Sequence, residues 1–137
     1  MEGTITPPRR RFPKQRRLLH RSEFLKVQRK GKRYHAGDLI ACVVGTPGEP
    51  TRVGITTSKK VGKAVIRNRV RRLLREAIRL ILLPALDEGF AIVLIAKKDL
   101  ELDLPQSRID EAIQQLIGTI QRKPPHAHIR AKKEKPE

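Results

Sequence analysis

The chain has 137 residues, enough for one domain with a hydrophobic core, and its formal net charge of +17 favours nucleic acid or an anionic membrane surface as the partner. Its longest apolar runs are far shorter than the ~20 residues of a membrane-spanning helix, and its arginine-rich N-terminus lacks the apolar stretch of a secretory signal, so we expect a cytoplasmic protein with no membrane partner. The single cysteine, Cys42, excludes an intrachain disulfide and is expected to be buried.

The first part of the chain combines proline and arginine without an apolar period. Residues 1–17 are therefore predicted to be a basic, flexible arm that orders partly on contact. A short amphipathic helix is predicted from Ser22, a suitable N-cap, to Lys30, and Gly31 ends it. A single α+β domain is predicted over residues 18–122, and this helix is its first element.

Three segments of β-forming residues follow the first helix. A short edge strand is predicted at 33–35 and an apolar strand at 39–44. The turn sequence at 45–50 separates the apolar strand from residues 52–57, which we expect to be its hairpin partner.

The second half of the chain begins with its most basic segment. Residues 59–79 hold nine Lys/Arg and one acid around an apolar stripe, which predicts an amphipathic helix that starts near 61–64 and ends before Pro84. Residues 90–96 are apolar throughout, as in a central strand covered on both faces. A last amphipathic helix is predicted at 106–121.

The elements therefore follow the order α-β-β-β-α-β-α. This order predicts an α+β fold, a two-layer sandwich with helices packed on one mixed sheet. Residues 123–137 are polar and basic, so we expect a disordered tail.

The basic helix separates into two faces on a helical wheel. With Asn68 as the reference, Arg72, Arg75 and Arg79 fall within about 40° of it. The opposite face carries the apolar residues expected in the core: Val70, Leu73, Leu74, Ala77 and Ile81. The planar guanidinium group of arginine suits phosphate oxygens, so the partner is expected to be rich in phosphate.

The sequence contains no nucleophile with its base and no convergent carboxylates, as a self-sufficient hydrolase would need. The remaining candidates are histidines and loop acids: His20, His35, His126, His128, Asp99, Glu101 and Asp103. They are better explained as surface residues than as metal ligands, although the two histidines in basic segments could help to hold phosphate. We therefore expect no catalytic residue and no dedicated metal site in the protein.

Aromatic residues are scarce, and three of the four lie among cationic residues: Phe12, Phe24 and Tyr34. A nucleobase can stack on such a ring. For Phe24, core packing and base contact are both open.

The segment Arg67-Asn68-Arg69 and the basic loop before it match the motif of a known family. The chain resembles the protein subunit of bacterial ribonuclease P, in which an Arg-Asn-Arg helix follows a Lys-Lys-x-Gly-x-Ala-Val loop. The matching residues are Lys59, Lys60, Gly62, Ala64, Val65, Arg67, Asn68, Arg69, Arg72 and Arg75. The resemblance covers roughly residues 12–121.

The resemblance implies a fold like domain 2 of ribosomal protein S5, with a left-handed crossover between parallel strands. It implies that the catalyst is a large RNA with Mg²⁺ held mainly by that RNA, and that one protein binds one RNA. The protein would bind the catalytic RNA and the 5′ leader of precursor tRNA, and so assist endonucleolytic removal of the leader. This accounts for the missing catalytic residues.

Site residues are carried over from the family only where the residues match. The surface expected to bind the catalytic RNA consists of Lys59, Lys60, Lys63, Arg67, Asn68, Arg69, Arg72 and Arg75. The residues expected to bind the leader are Phe24, Phe12, Arg16 and Arg17. Gln28 and Cys42 stand where some relatives have aromatic residues, which reduces the base stacking expected there.

Two other functions stay open. A structural ribosomal or general RNA-binding protein would also be basic, but it does not require the Arg-Asn-Arg context. A stand-alone nuclease would need catalytic residues that the sequence does not show.

Overall fold

Four strands form one mixed sheet in the computed structural model, which describes residues 12–125. The strands are β1 (Lys32–Ala36), β2 (Leu39–Pro50), β3 (Arg52–Thr56) and β4 (Glu88–Ala96). Their order across the sheet is β1-β2-β4-β3. β2 pairs antiparallel with both β1 and β4, and β3 pairs parallel with β4.

Helices cover both faces of this sheet. They are α1 (Arg21–Lys30), α2 (Ala64–Ala77), the short turn α3 (Leu83–Ala85) and α4 (Gln106–Arg122). A π-helical stretch, Ile78–Leu82, joins α2 to α3. The order of helices and strands along the chain confirms the predicted order and the α+β class. None of the helices within residues 12–125 has the length and apolarity needed to cross a membrane.

Side chains of the sheet alternate between two apolar clusters. In β2, Leu39, Ala41 and Val43 join the larger cluster with α2 and α4, whereas Cys42 and Val44 join a smaller one beneath α1. The predicted core stripe of α4 is fully buried: Ile109, Ala112, Ile113, Leu116, Ile117 and Ile120. In α2 the buried residues are Val70, Leu73, Leu74 and Ala77, as predicted. These stripes hold α2 and α4 on one face of the sheet.

The predicted hairpin between 39–44 and 52–57 is wrong. β2 continues through the turn-like sequence to Pro50 and pairs with β4, with an irregular register after Gly45. β3 lies on the other side of β4. Because residues 90–96 of β4 are apolar throughout, a strand on each side satisfies their backbone groups away from water, and this non-local gain outweighs the local turn signal.

The central position of β4 and the edge position of β1 are confirmed. α2 connects the parallel neighbours β3 and β4, which makes the connection a crossover. The left-handed sense of this crossover and the likeness to ribosomal protein S5 stay predictions.

Two helix boundaries differ from the prediction. Pro84 does not follow the end of the helical segment but is the second residue of α3. The π-helical stretch leads directly into this turn, and the Leu83 N–H donates to the Ile78 carbonyl five residues back, so the chain reaches Pro84 with the wider π spacing rather than the α-helical spacing that proline disrupts. The N-cap of α1 is His20 rather than Ser22, since Glu23 accepts hydrogen bonds from the backbone N–H groups that precede the helix.

Residues 12–17, predicted to be part of the flexible arm, are packed on the domain. Phe12 is only 8% exposed and belongs to the larger cluster. Arg17 forms an isolated parallel bridge with Val53, and the Leu18 N–H donates to the Val53 carbonyl at 3.0 Å. The boundary at residue 17 is therefore corrected, whereas the rest of the arm and the tail from His126 lie outside the described residues.

Candidate nucleic-acid interface

The exposed face of α2 carries the residues that the helical wheel groups together. Asn68, Arg72 and Arg75 are exposed, and they lie opposite the buried stripe. Among the described residues Arg72 and Arg75 have no acidic partner, whereas Arg79 is paired with Glu76 at 2.8 Å. The guanidinium groups of Arg72 and Arg75 can therefore accept a phosphate without first breaking an ion pair.

Exposed lysines extend this cationic face beyond the start of α2. Lys59 and Lys60 lie in a 3₁₀ turn, and Lys63 is the N-cap residue of α2. The loop before α4 holds the turn in place, since the Asp99 N–H donates to the Lys60 carbonyl at 2.9 Å. The positive end of the α2 dipole adds to the charge of these lysines, which favours an anion at this end of the helix.

Two arginines of the motif, Arg67 and Arg69, are partly buried against the rest of the domain. The Arg69 guanidinium donates to the Leu104 carbonyl at 2.8 Å and so ties α2 to the segment before α4. The Nε atoms of Arg67 and Arg69 are buried and have no hydrogen-bond partner within the described part of the chain. The structure places both side chains at the flanks of the exposed face, and their contact with RNA stays a prediction.

A cleft of about 240 Å³ joins the α2 face to the aromatic residues. Its walls include Phe12, Arg17 and Phe24 on one side and Arg71 and Arg75 of α2 on the other. The helical wheel does not single out Arg71, because this residue lies about 60° from Asn68, just beyond the other arginines. Its Nη1 donates to the Asn68 side-chain oxygen at 2.9 Å, which links the cleft to the exposed face.

A second cleft of about 370 Å³ lies between α1 and β3. Phe24 lines it as well, together with Arg21, Gln28 and Thr56. Phe24 is half-buried against the smaller cluster, so the core contact and an accessible ring surface are both present. Gln28 presents a polar side chain to this cleft.

Cys42 lies beneath α1 and is fully buried, as predicted. Burial raises the pKa of its thiol, although the nearby charge of Arg33 opposes that effect. Cys42 is therefore a core residue and offers no surface to a base.

Three further residues with predicted contacts to RNA prove to be involved in packing. Tyr34 is 3% exposed and donates from its hydroxyl to the Lys123 carbonyl. Arg16 donates to the backbone carbonyls of Thr51 and Asp87, at 2.7 Å each, and so fastens the N-terminal segment to the edge of the sheet. Arg17 donates to the Phe12 carbonyl at 2.7 Å.

Arg17 nevertheless keeps a place in the first cleft. Its guanidinium carbon lies 5.1 Å from the centre of the Phe12 ring. Arg16 does not line this cleft, and its Nε and Nη2 atoms donate to Thr51 and Asp87 instead. Of the four predicted leader-binding residues, Phe12, Arg17 and Phe24 meet at one cleft, whereas Arg16 lies outside its lining.

His126 and His128 lie outside the described residues, and the other predicted surface histidines and loop acids lie on separate parts of the fold. His20 caps α1, His35 is exposed on β1, and Asp99 belongs to the loop that holds the 3₁₀ turn. Within residues 12–125 no group of three or more His, Cys, Asp or Glu side chains is placed to hold a metal ion.

Glu23 fastens the start of α1 to β3. Its Oε2 atom accepts from Arg52 at 2.8 Å, and its Oε1 atom accepts from the Leu19 N–H at 3.2 Å. Burial by itself would raise the pKa of Glu23, but the hydrogen bond from Arg52, the backbone hydrogen bonds and the charge of Arg52 together hold the pKa below its ordinary value. The folded state therefore favours the ionised carboxylate.

We expect Glu23→Gln to lower the melting temperature at neutral pH and to have little effect in acid. The ionised carboxylate stabilises the fold fully above its unfolded pKa near 4.5, and this contribution is lost as pH falls through the lower folded pKa. The measurement is the melting temperature of the wild-type protein and of the variant between pH 7 and pH 3. The contributions of all other carboxylates cancel in the difference between the two melting temperatures. A difference that stays constant or grows in acid would contradict this role.

The family model for ribonuclease P matches residues 12–121. The chain belongs to the ribonuclease P protein family. The ribonuclease P protein component of Clostridioides difficile is 39% identical over 106 residues, which cover 77% of this chain and 92% of that protein. The protein component of Desulforapulum autotrophicum is 48% identical over 69 residues, which cover 50% of this chain and 59% of that protein.

Solved structures of ribonuclease P proteins share the fold. The ribonuclease P protein of Thermotoga maritima superposes with a TM-score of 0.67 at 28% identity, covering 76% of this chain and 96% of that one. The Staphylococcus aureus ribonuclease P protein, solved at 2.0 Å, has a TM-score of 0.64 at 22% identity and covers 76% of this chain and 94% of its own. The resemblance seen in the Arg-Asn-Arg motif is confirmed, and the chain is a component of an endoribonuclease complex that acts with RNA.

Proposed function

We propose that this ribonuclease P protein binds the catalytic RNA of its complex through α2 and binds the 5′ leader of precursor tRNA in the clefts around Phe24. The observation that carries the proposal is the continuity of the two surfaces. Arg71 and Arg75 belong to α2, and both also line the cleft that contains Phe24. One protein can therefore contact a folded RNA with the exposed face of α2 and a single strand in the adjoining cleft.

The RNA-binding surface of the proposal comprises Lys59, Lys60, Lys63, Arg67, Asn68, Arg72 and Arg75, with Arg69 holding α2 in place through its hydrogen bond to Leu104. The leader-binding residues are Phe24, Phe12 and Arg17, with Arg16 holding the segment that carries two of them. Rings provide stacking surfaces for unpaired bases, and guanidinium groups pair with the phosphates between them.

In this proposal the RNA is the catalyst, and Mg²⁺ bound to that RNA supplies the metal-ion chemistry of phosphodiester hydrolysis. The protein acts on charge and position. Its arginines and lysines reduce repulsion between the phosphates of the catalytic RNA and those of the substrate. Its clefts hold the leader in one orientation, which increases the fraction of substrate bound productively. Cytoplasmic location and a 1:1 complex with the RNA stay predictions.

Adding the purified protein to ribonuclease P RNA at low Mg²⁺ is expected to increase the rate of leader release from precursor tRNA. At high Mg²⁺ the increase shrinks, because the metal ion then screens the phosphates by itself. The measurement is the initial rate of cleavage of an end-labelled precursor across a Mg²⁺ series.

Two outcomes distinguish the alternatives. A general RNA-binding protein would bind the RNA without accelerating cleavage, so an unchanged rate at all Mg²⁺ concentrations contradicts the proposal. Cleavage by the protein without RNA would instead indicate a stand-alone nuclease.

A further inference from the structure

Gly54 of β3 lies directly beneath the ring of Phe24. A Cβ atom at this position would lie 2.5 Å from Cζ and 2.6 Å from Cε2 of Phe24. Such separations do not occur between packed carbon atoms, so any other residue at 54 would displace the ring. Glycine is therefore required at position 54, because the Phe24 ring occupies the space that a side chain of the strand would otherwise fill.

The seated ring separates the two clefts. Phe24 and its neighbour Leu19 line both of them, with Arg71 and Arg75 on one side and Arg21 and Thr56 on the other. Because β3 is an edge strand, both clefts open along the same border of the sheet. Each cleft has at least one arginine beside the aromatic wall.

We propose that Gly54 is a positioning residue for the leader, because it seats the Phe24 ring against β3 and makes the ring the wall between two subsites for successive unpaired nucleotides. The inference rests on the proposed leader role of the clefts. Single-stranded RNA fits this arrangement, since the ring stacks with a base of any sequence and the arginines on both sides pair with the phosphates that flank it. A duplex would not fit, because its bases are already stacked.

An alanine at position 54 moves the ring rather than the strand. The two closest atoms, Cζ and Cε2, form the far end of the Phe24 side chain, which can rotate outward. The next contact is the Leu18 Cβ at 3.2 Å, which a shift of a few tenths of an ångström relieves. The ring then projects into the clefts and occupies the space of a nucleotide.

A double-mutant cycle tests the inference in the complex of full-length protein with ribonuclease P RNA. The variants are Gly54→Ala, Phe24→Ala and both together, and the dissociation constants are measured for precursor tRNA and for mature tRNA. We expect Gly54→Ala to weaken binding of the precursor about fivefold or more, as Phe24→Ala does, and to leave binding of mature tRNA unchanged. The double variant is expected to equal Phe24→Ala, because the added methyl group no longer meets a ring.

The helix glycine Gly118 provides the matched control. Its Cβ position is clear except for an Arg122 atom at 3.5 Å, so Gly118→Ala is expected to leave both dissociation constants unchanged. If Gly54→Ala does not fold, the comparison of Phe24→Ala with the double variant tests the inference. Adding the methyl group to a protein that lacks the ring is expected to change neither precursor binding nor the melting temperature.

Three outcomes would overturn the inference. The first is normal precursor binding by Gly54→Ala when Phe24→Ala is impaired. The second is a loss of precursor affinity in the double variant that equals the product of the two single losses. The third is an equal loss of affinity of Gly54→Ala for mature tRNA. Normal precursor binding by Phe24→Ala would instead refute the leader role of the cleft itself, which separates a failure of the proposed function from a failure of the role of Gly54.

Discussion

Replacing Arg72 and Arg75 together by glutamate is expected to weaken binding of the protein to ribonuclease P RNA by at least roughly 15-fold near physiological salt. Each lost phosphate contact removes about 0.7–0.9 from the slope of log affinity against log salt, so two contacts correspond to roughly 15- to 30-fold. Both side chains are exposed on α2, away from its buried stripe, so the melting temperature is expected to change little. The measurement is the dissociation constant across a series of salt concentrations.

The matched control replaces Arg122 and Lys123, at the end of α4, by glutamate. These residues are exposed and the reversal changes the net charge equally, but they lie outside the proposed surface. Their variant is expected to keep the salt slope of the wild-type protein. An equal loss of affinity in both variants would show that net charge alone, and not the α2 face, governs binding.

Periodicity along the chain predicted the helices and their buried faces because that information is local. Val70, Leu73, Leu74 and Ala77 repeat with the spacing of a helix, and no other conformation places them on one side. The same applies to the stripe of α4. The pairing of β3 depends on residues some 40 positions away, so the local turn signal at 45–50, which lies within β2, predicted the wrong neighbour.

In the candidate site too, some features were predictable from local sequence and others depend on contacts formed only in the folded chain. The residue types of the α2 motif predicted which side chains are cationic, and the wheel predicted that Arg72 and Arg75 are exposed. The sequence could not show that Arg16 is bonded to the carbonyls of Thr51 and Asp87, because those acceptors meet it only in the folded chain. It also could not show that Gly54 meets Phe24, since a glycine within a strand predicts close approach without identifying what approaches.

Arg69→Ala is expected to destabilise the fold by about 1.5–3 kcal/mol, the usual contribution of a hydrogen bond from a charged donor. The Arg69 guanidinium donates to the carbonyl of Leu104, a residue that is only 2% exposed. Without that donor the carbonyl stays buried and unsatisfied, and α2 loses a tie to the segment before α4. Thermal unfolding of the free protein measures the effect, and Arg72→Ala is the control with an unchanged melting temperature.

The comparison of these two arginines separates two reasons for placing arginine in a basic helix. Arg72 faces solvent and can affect only the partner, whereas Arg69 reaches across the domain to a backbone carbonyl. RNA binding by Arg69→Ala is therefore expected to recover to near the wild-type value when only the folded fraction is counted. A normal melting temperature combined with weak RNA binding would contradict this and would place Arg69 on the RNA surface beside Arg72. In that case Arg69 would serve both partners at once, because its guanidinium group has five N–H donors and the Leu104 carbonyl accepts from Nη2 only.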